Sequence, residues 1–188
     1  MSTRQVMISV GEPSGDLHAA HLLEQLNRRE PQINCFGMGG ARMRAAGFEA
    51  AIHSEQMAVM GLVEILRHFP RLYGVLRQMR QLLHARRPDL LILVDYPGFN
   101  LLLAKTAKRL GIPVLYYISP KIWVWRQGRI HKIAKRVDRM ALIFPFERQY
   151  YQRVGLPAVR VSLLCVSVMD LTLNGAWWGC FPAVAGER

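Results

Sequence analysis

Apolar and polar positions fall into blocks along this chain, and the blocks carry two different periods. Residues 5–10 end in V-M-I-S-V, a short apolar run that breaks at Gly11. A run of that length bounded by turn residues predicts a buried strand. From about residue 16 to 29 the period lengthens, and Leu17, Ala20, Leu23 and Leu26 share one face of a predicted helix. Residues 33–37, I-N-C-F-G, predict a second strand that ends in a glycine-rich turn, G-M-G-G at 37–40. A short helix is expected over 41–46 and a third strand at 50–53. Pro70 interrupts the next apolar stretch, after which Leu72, Val75, Leu76, Met79, Leu82 and Leu83 recur at helical spacing. Residues 89–94, D-L-L-I-L-V, form a near-continuous apolar run, the pattern of a central parallel strand covered on both faces. That strand stops at Asp95. A helix over about 99–110 closed by Gly111, a strand at 113–118, a basic helix at 128–138, a strand at 139–144 and a short helix at 146–154 complete the series.

Alternating strands and helices joined by right-handed crossovers predict an α/β fold, a doubly wound parallel sheet of the Rossmann-like kind. Ligands of such sheets bind beyond the carboxyl ends of the strands. Four loops are therefore expected on one rim: G-E-P-S-G-D (11–16), G-M-G-G (37–40), D-Y-P-G-F-N (95–100) and S-P-K-I-W-V-W-R (119–126).

Composition narrows the partners. The 188 residues suffice for one core, and the balance of 51% hydrophobic and 20% charged residues is globular. The net charge of +12 points to an anionic partner: nucleic acid, a membrane surface or a phosphorylated ligand. Nucleic acid rests only on charge and on Trp123 and Trp125, and is set aside. Cys35, Cys165 and Cys180 lack the spacing of a disulfide framework or a zinc site. His18 and His21 lie three apart on a helix with no third ligand evident, so no metal is expected. Neither a signal peptide nor an uncharged apolar run of spanning length is evident, so the cytoplasm is the expected location.

The first loop lacks the Gly-Lys-Ser/Thr of a phosphate loop and the G-x-G-x-x-G of a dinucleotide loop. Gly11 and Gly15 permit close approach by a ligand, and Ser14 is placed to cap a helix starting near Asp16. Glu12 and Asp16 put negative charge at that helix start, which favours recognition of hydroxyls over a plain phosphate cradle. For Asp16 the alternative is simple complementation of the helix dipole. Asp95, at the end of the most apolar strand, sits where a general base would sit, or else caps the following helix; Asn100 reads as structural. Ser119, Lys121, Trp123, Trp125 and Arg126 interleave cations with aromatics that suit a sugar phosphate. Arg129, Lys132, Lys135, Arg136 and Arg139 extend the charge, or form a solvated face. Met57, Val59, Met60, Leu62, Val63, Ile65, Leu66 and Phe69 cannot all face one core from a single helix. With Arg67, Arg71, Arg77 and Arg80 beside them they read as an interfacial segment dipping into anionic lipid, or as a helix buried on two sides.

Six motifs in order resemble the lipid-A-disaccharide synthase family: G-E-P-S-G-D (11–16), G-M-G-G-A-R-M (37–43), M-A-V-M-G-L-V-E-I-L (57–66), D-Y-P-G-F-N (95–100), Y-Y-I-S-P-K-I-W-V-W-R (116–126) and F-P-F-E (144–147). They cover roughly residues 5–160. Each alone is weak; the ordered set is specific. The resemblance implies the N-terminal domain of a GT-B glycosyltransferase. That enzyme condenses UDP-2,3-diacylglucosamine with 2,3-diacylglucosamine 1-phosphate, giving the β-1,6 disaccharide 1-phosphate and UDP. It implies no metal or other cofactor. It places the family's base at Asp95 and puts Glu12, as a second catalytic residue, on the glycine loop that lines the cleft. Gly11, Ser14, Gly15, Asp16, Met60, Trp125 and Arg126 would line the substrate cleft. Met57, Val59, Leu62, Val63, Leu66 and Phe69 would face the membrane, a peripheral association with the inner leaflet of the inner membrane. A basic, lipid-surface-binding Rossmann domain without catalysis is the alternative.

Near residue 160 the composition changes. Beyond it only Arg188 stands against Asp170 and Glu187, and a W-W pair and two of the cysteines appear. The family's G-H-P type motif is expected there and is not found. Residues 1–160 are thus expected to be the Rossmann-like acceptor-side domain. Residues 161–188 are expected to be an aberrant tail, frameshifted or poorly ordered, with no donor domain and no transferase activity from this chain alone.

Overall fold

The computed structural model describes residues 4–55, 69–120 and 128–160. Within them seven strands form one sheet: β1 (Gln5–Val10), β2 (Asn34–Gly39), β3 (Glu49–His53), β4 (Leu90–Val94), β5 (Val114–Tyr117), β6 (Arg139–Leu142) and β7 (Ala158–Arg160). Every pairing is parallel, in the order β3-β2-β1-β4-β5-β6-β7. The helices are α1 (Pro13–Arg29), α2 (Ala41–Ala45), α3 (Phe69–Arg86), α4 (Pro97–Arg109), α5 (Arg129–Ala134) and α6 (Arg148–Gln152).

The alternation of apolar side chains along each strand divides the core into two layers. Val6, Ile8 and Val10 of β1 and Leu90, Ile92 and Val94 of β4 pack with Ala19, Leu22, Leu23 and Leu26 of α1 and Met43 of α2. Met7, Leu91 and Leu93 point the other way, into Val75, Met79 and Leu83 of α3, Leu103 and Ala107 of α4, Ile133 of α5 and Tyr151 of α6. This is the doubly wound arrangement that the near-continuous apolar strands predict, because β4 is buried along its whole length. The helix after β1 covers one face and the helix after β4 the other. The order of connection therefore reverses between β1 and β4, and such a reversal opens a crevice at the carboxyl ends of those two strands.

Several local expectations are revised. Helix α1 begins at Pro13, not near Asp16, because proline with its fixed φ suits the first helical position. Ser14 therefore lies inside the first turn and makes no cap bond. The G-M-G-G stretch is no turn: β2 runs through Gly39. Gly37 adopts φ 135° within the strand, and a Cβ there would stand 2.3 Å from the Ile8 carbonyl oxygen, so only glycine lets β1 and β2 pair at that point. The register to β3 shifts at the same place. Helix α5 is shorter than the basic run that predicts it, and β7 has no counterpart in the sequence prediction. Residues 57–66 with Met57, Val59, Met60, Leu62, Val63 and Leu66, the 121–126 segment with Trp125 and Arg126, and the 161–188 tail lie outside the described residues. Phe69 opens α3, and Pro70 lies in its first turn.

Candidate active site

The carboxyl ends of β1, β2, β4 and β5 lie along one rim, as parallel pairing requires. At the β1/β4 reversal two helices start side by side, and they start alike. Glu12 precedes Pro13 at the head of α1, and Tyr96 precedes Pro97 at the head of α4; neither supplies a side-chain cap. Each helix end leaves backbone N–H groups without intrahelical partners and the positive end of a dipole at the crevice. That is a setting in which carboxylates, or an anionic ligand, are tolerated.

Asp95 follows β4 in a left-handed backbone conformation, φ 50°, and Tyr96 comes next at φ 45°. Two consecutive non-glycine residues in that region are strained and persist only where the surroundings hold them. Asn100 does so. Its amide nitrogen donates to the Val94 carbonyl at 3.1 Å and to the Asp95 carbonyl at 2.7 Å, and its Oδ1 accepts from the Ser9 hydroxyl at 2.7 Å. The Tyr116 hydroxyl donates to the same Asp95 carbonyl at 2.6 Å. Ser9, Asn100 and Tyr116 are fully buried; Asn100 and Tyr116 converge on the Asp95 carbonyl, and Ser9 holds Asn100 in place. The Tyr96 amide donates to Asp95 Oδ1 at 2.9 Å, which orients the carboxylate. The Tyr96 ring then lies over Gly11, where a Cβ would come within 2.7 Å of it. Gly11 thus closes the crevice floor by being absent of side chain.

Glu12 and Asp95 meet across the crevice. Partial burial first, then the charge of Asp95 and a hydrogen bond with it, hold the Glu12 carboxyl above its ordinary range. Burial and the neighbouring His21 push His18 down, while Asp95 pulls it back up, so His18 also senses the Asp95 charge. Burial, and then the Glu12 charge, raises the Tyr96 phenol. The sequence-expected pair Glu12 and Asp95 is thus brought together, with His18 and Tyr96 beside it. Gly15 lines the same floor, 3.0 Å from Val10 and 3.4 Å from Val94 as a Cβ would measure it. Ser14 is exposed on the rim.

Asp16 goes elsewhere. It is buried and spends both oxygens on the start of α2, accepting from the Gly40 amide at 2.7 Å, Arg42 at 3.0 Å and Met43 at 3.3 Å. Its role here is to cap α2 from a neighbouring helix, and it presents nothing to the cleft. Further along the rim Ser119 bonds to the Tyr151 hydroxyl at 2.6 Å, and the buried Glu147 of the F-P-F-E motif stands beside them. Burial raises the Glu147 carboxyl, whose Oε1 has no hydrogen-bond partner among the described residues. Among the described residues no group of three metal-ligating side chains assembles. Sequence reasoning assigned no role to Ser9, His18 or Tyr116 at this site. The signal for Ser9 was present: a lone hydroxyl inside an apolar strand must find a partner.

A parallel sheet of this order, doubly wound with its reversal between β1 and β4, is a Rossmann-like α/β domain. Solved structures carry the same fold: the Staphylococcus aureus MnaA–UDP co-structure (TM-score 0.61, 12% identity, 93% of this chain and 48% of that one) and Glycyrrhiza uralensis UGT73P12 complexed with glycyrrhetinic acid 3-O-monoglucuronide (TM-score 0.58, 11% identity, 96% and 55%). Residues 6–162 match the family model for lipid-A-disaccharide synthetase, and the chain belongs to that family. Lipid-A-disaccharide synthases of Geobacter metallireducens and Nitrosococcus oceani are each 53% identical to it, over 82% and 81% of this chain. That of Coxiella burnetii is 50% identical over 84%. The chain spans about 40% of the length of these relatives.

Proposed function

We propose that this chain carries the acceptor side of a hexosyltransferase that joins UDP-2,3-diacylglucosamine to 2,3-diacylglucosamine 1-phosphate, forming the β-1,6 disaccharide 1-phosphate and UDP in lipid A synthesis. Family membership supports the reaction. The observation that carries the assignment of roles is Asp95, locked in a strained conformation at the sheet's reversal point with its carboxylate beside Glu12.

In this scheme Asp95 takes the proton from the acceptor 6-hydroxyl. The hydroxyl oxygen bonds to the anomeric carbon of the donor, and the carbon–oxygen bond to UDP breaks. Glu12 retains its proton to higher pH than an ordinary carboxyl, so it donates to Asp95 and orients it. The uncapped starts of α1 and α4 offset the charge that gathers there. The acceptor is an anionic lipid, which suits a net charge of +12 and peripheral binding at the cytoplasmic face of the inner membrane. No helix among the described residues is long and apolar enough to cross a membrane.

The test is binding of 2,3-diacylglucosamine 1-phosphate to the purified chain, with product formation from both substrates followed by mass spectrometry. Acceptor binding is expected. Where turnover is measurable, Asp95→Asn lowers it by about 100- to 10,000-fold, the span for a lost general base, while binding survives. A chain that does not bind the acceptor sinks the assignment. Acceptor binding that Asp95→Asn and Glu12→Gln both leave unchanged, with no product, selects the lipid-surface binding domain instead.

A further inference from the structure

A groove of about 540 Å³ opens between the start of α4 and α5, beginning two residues along the chain from Asp95, and is lined by Pro97, Gly98, Leu101, Leu102, Gly128, Lys132 and Arg136. Its volume lies in the range of small-ligand sites, roughly 300–1,000 Å³. One wall is apolar, and Leu102 is 43% exposed, an unusual position for leucine on a helix whose other apolar residues are buried. The opposite wall is cationic. Arg136 is fixed across the groove by donating from Nη1 to the Leu101 carbonyl at 3.1 Å, which leaves its other nitrogens free to turn outward. Lys132 has no ion-pair or hydrogen-bond partner among the described residues, and no acidic residue lines the groove. Asp138, two residues on from Arg136, is occupied: it accepts from Lys108 and the Val114 amide. Two cations without counter-ions beside exposed leucine favour a ligand that is both anionic and apolar.

We propose that this groove seats the phosphate end of an acylated sugar phosphate, with Lys132 and Arg136 pairing the phosphate oxygens and Leu101 and Leu102 receiving the first methylenes of an acyl chain. The inference rests on the transferase reading above and assigns the acceptor's orientation within it. Asp95 and Tyr96 pass straight into Pro97 and Gly98 of the groove wall. On this proposal a sugar whose hydroxyl reaches Asp95 extends its far end along the head of α4 into the groove. Of the two anionic substrates, only the acceptor carries a phosphomonoester, whose second charge two unpaired cations match.

The experiment compares binding of 2,3-diacylglucosamine 1-phosphate, its dephosphorylated counterpart and inorganic phosphate to the full chain by titration calorimetry. The wild-type chain is expected to prefer the phosphorylated lipid over both by tenfold or more. Lys132→Glu, an exposed substitution, is expected to abolish the preference over the dephosphorylated lipid, and Lys132→Ala to reduce it several-fold. Leu102→Gln is expected to weaken the lipids and leave inorganic phosphate unchanged. Lipid binding whose phosphate preference survives Lys132→Glu overturns the groove assignment and leaves the transferase reading standing. Inorganic phosphate binding as tightly as the lipid overturns the amphiphile class. No binding of either lipid overturns both.

Discussion

Glu12 and Asp16 sit one helical turn apart in the same loop-to-helix segment, and the fold uses them in opposite ways. Asp16 is surrounded by donors: three backbone amides of the α2 start take both its oxygens. Glu12 is set against another carboxylate and held above its ordinary range by partial burial and that charge. The first arrangement lowers the free energy of the folded chain, since a buried N–H without a partner costs more than its hydrogen bond gains. The second raises it, and leaves two oxygens and one proton poised at a crevice. Two acidic residues of equal prominence in the sequence thus separate into one that builds the rim and one that faces Asp95 across it.

That separation can be broken by mutation. Asp16→Ala, which strands three amides, is expected to cost about 3 kcal/mol, read from urea unfolding. Asp16→Asn turns an NH₂ or a single oxygen toward the same amides and recovers only part of it. If Asp16→Ala proves no more costly than Glu12→Gln, the contrast fails. Asn100→Ala is expected to follow at about 2–3 kcal/mol, because it strands the Ser9 hydroxyl and releases two carbonyls. Tyr116→Phe, which leaves Asn100 on the Asp95 carbonyl, should cost about 1 kcal/mol. Gly11→Ala forces the Tyr96 ring to move, at about 1–2 kcal/mol by the usual scale of overpacking, and loosens Asp95.

Glu12→Gln has the smallest effect on stability and the sharpest on its pH dependence. A carboxyl raised in the folded state binds more protons folded than unfolded between the two pKa values. Its contribution is therefore greatest below the unfolded value, near 4.5, and is lost as pH rises through the higher folded one. Denaturation profiles from pH 4 upward should show wild-type stability declining relative to Glu12→Gln. A parallel pair of profiles would remove the claim that Glu12 and Asp95 share a strained charge.

The sequence made the scaffold legible where patterning and packing agree. The apolar run at 89–94 predicts a strand ending at Asp95, and β4 ends at Val94 because Asp95 and Tyr96 turn left-handed. The pattern misplaced the start of α1 because Ser14 looked like a cap, whereas Pro13 already sets the first helical φ. It took G-M-G-G for a turn because glycines usually punctuate, whereas Gly37 is there to let two strands approach. β7 escaped because A-V-R is too short for any period to develop. That Glu12 and Asp95 would come together was legible from charge at strand ends. Asp16 was not separable from Glu12, since its partners are backbone amides of a helix 24 or more residues away, and amides leave no mark in a sequence.

The hydrogen bond from Ser9 to Asn100 joins residues 91 apart in the chain. The two strands whose reversal makes the crevice are likewise neighbours in space and distant in sequence. A hairpin or a single βαβ unit contains neither the bond nor the crevice, so closing that long loop must precede any local reward at the site. The Ser9–Asn100–Asp95 arrangement therefore depends on that long-range closure. Slow hydrogen exchange at the Asp95–Asn100 turn should therefore report global unfolding of the chain, despite its place at the molecular surface.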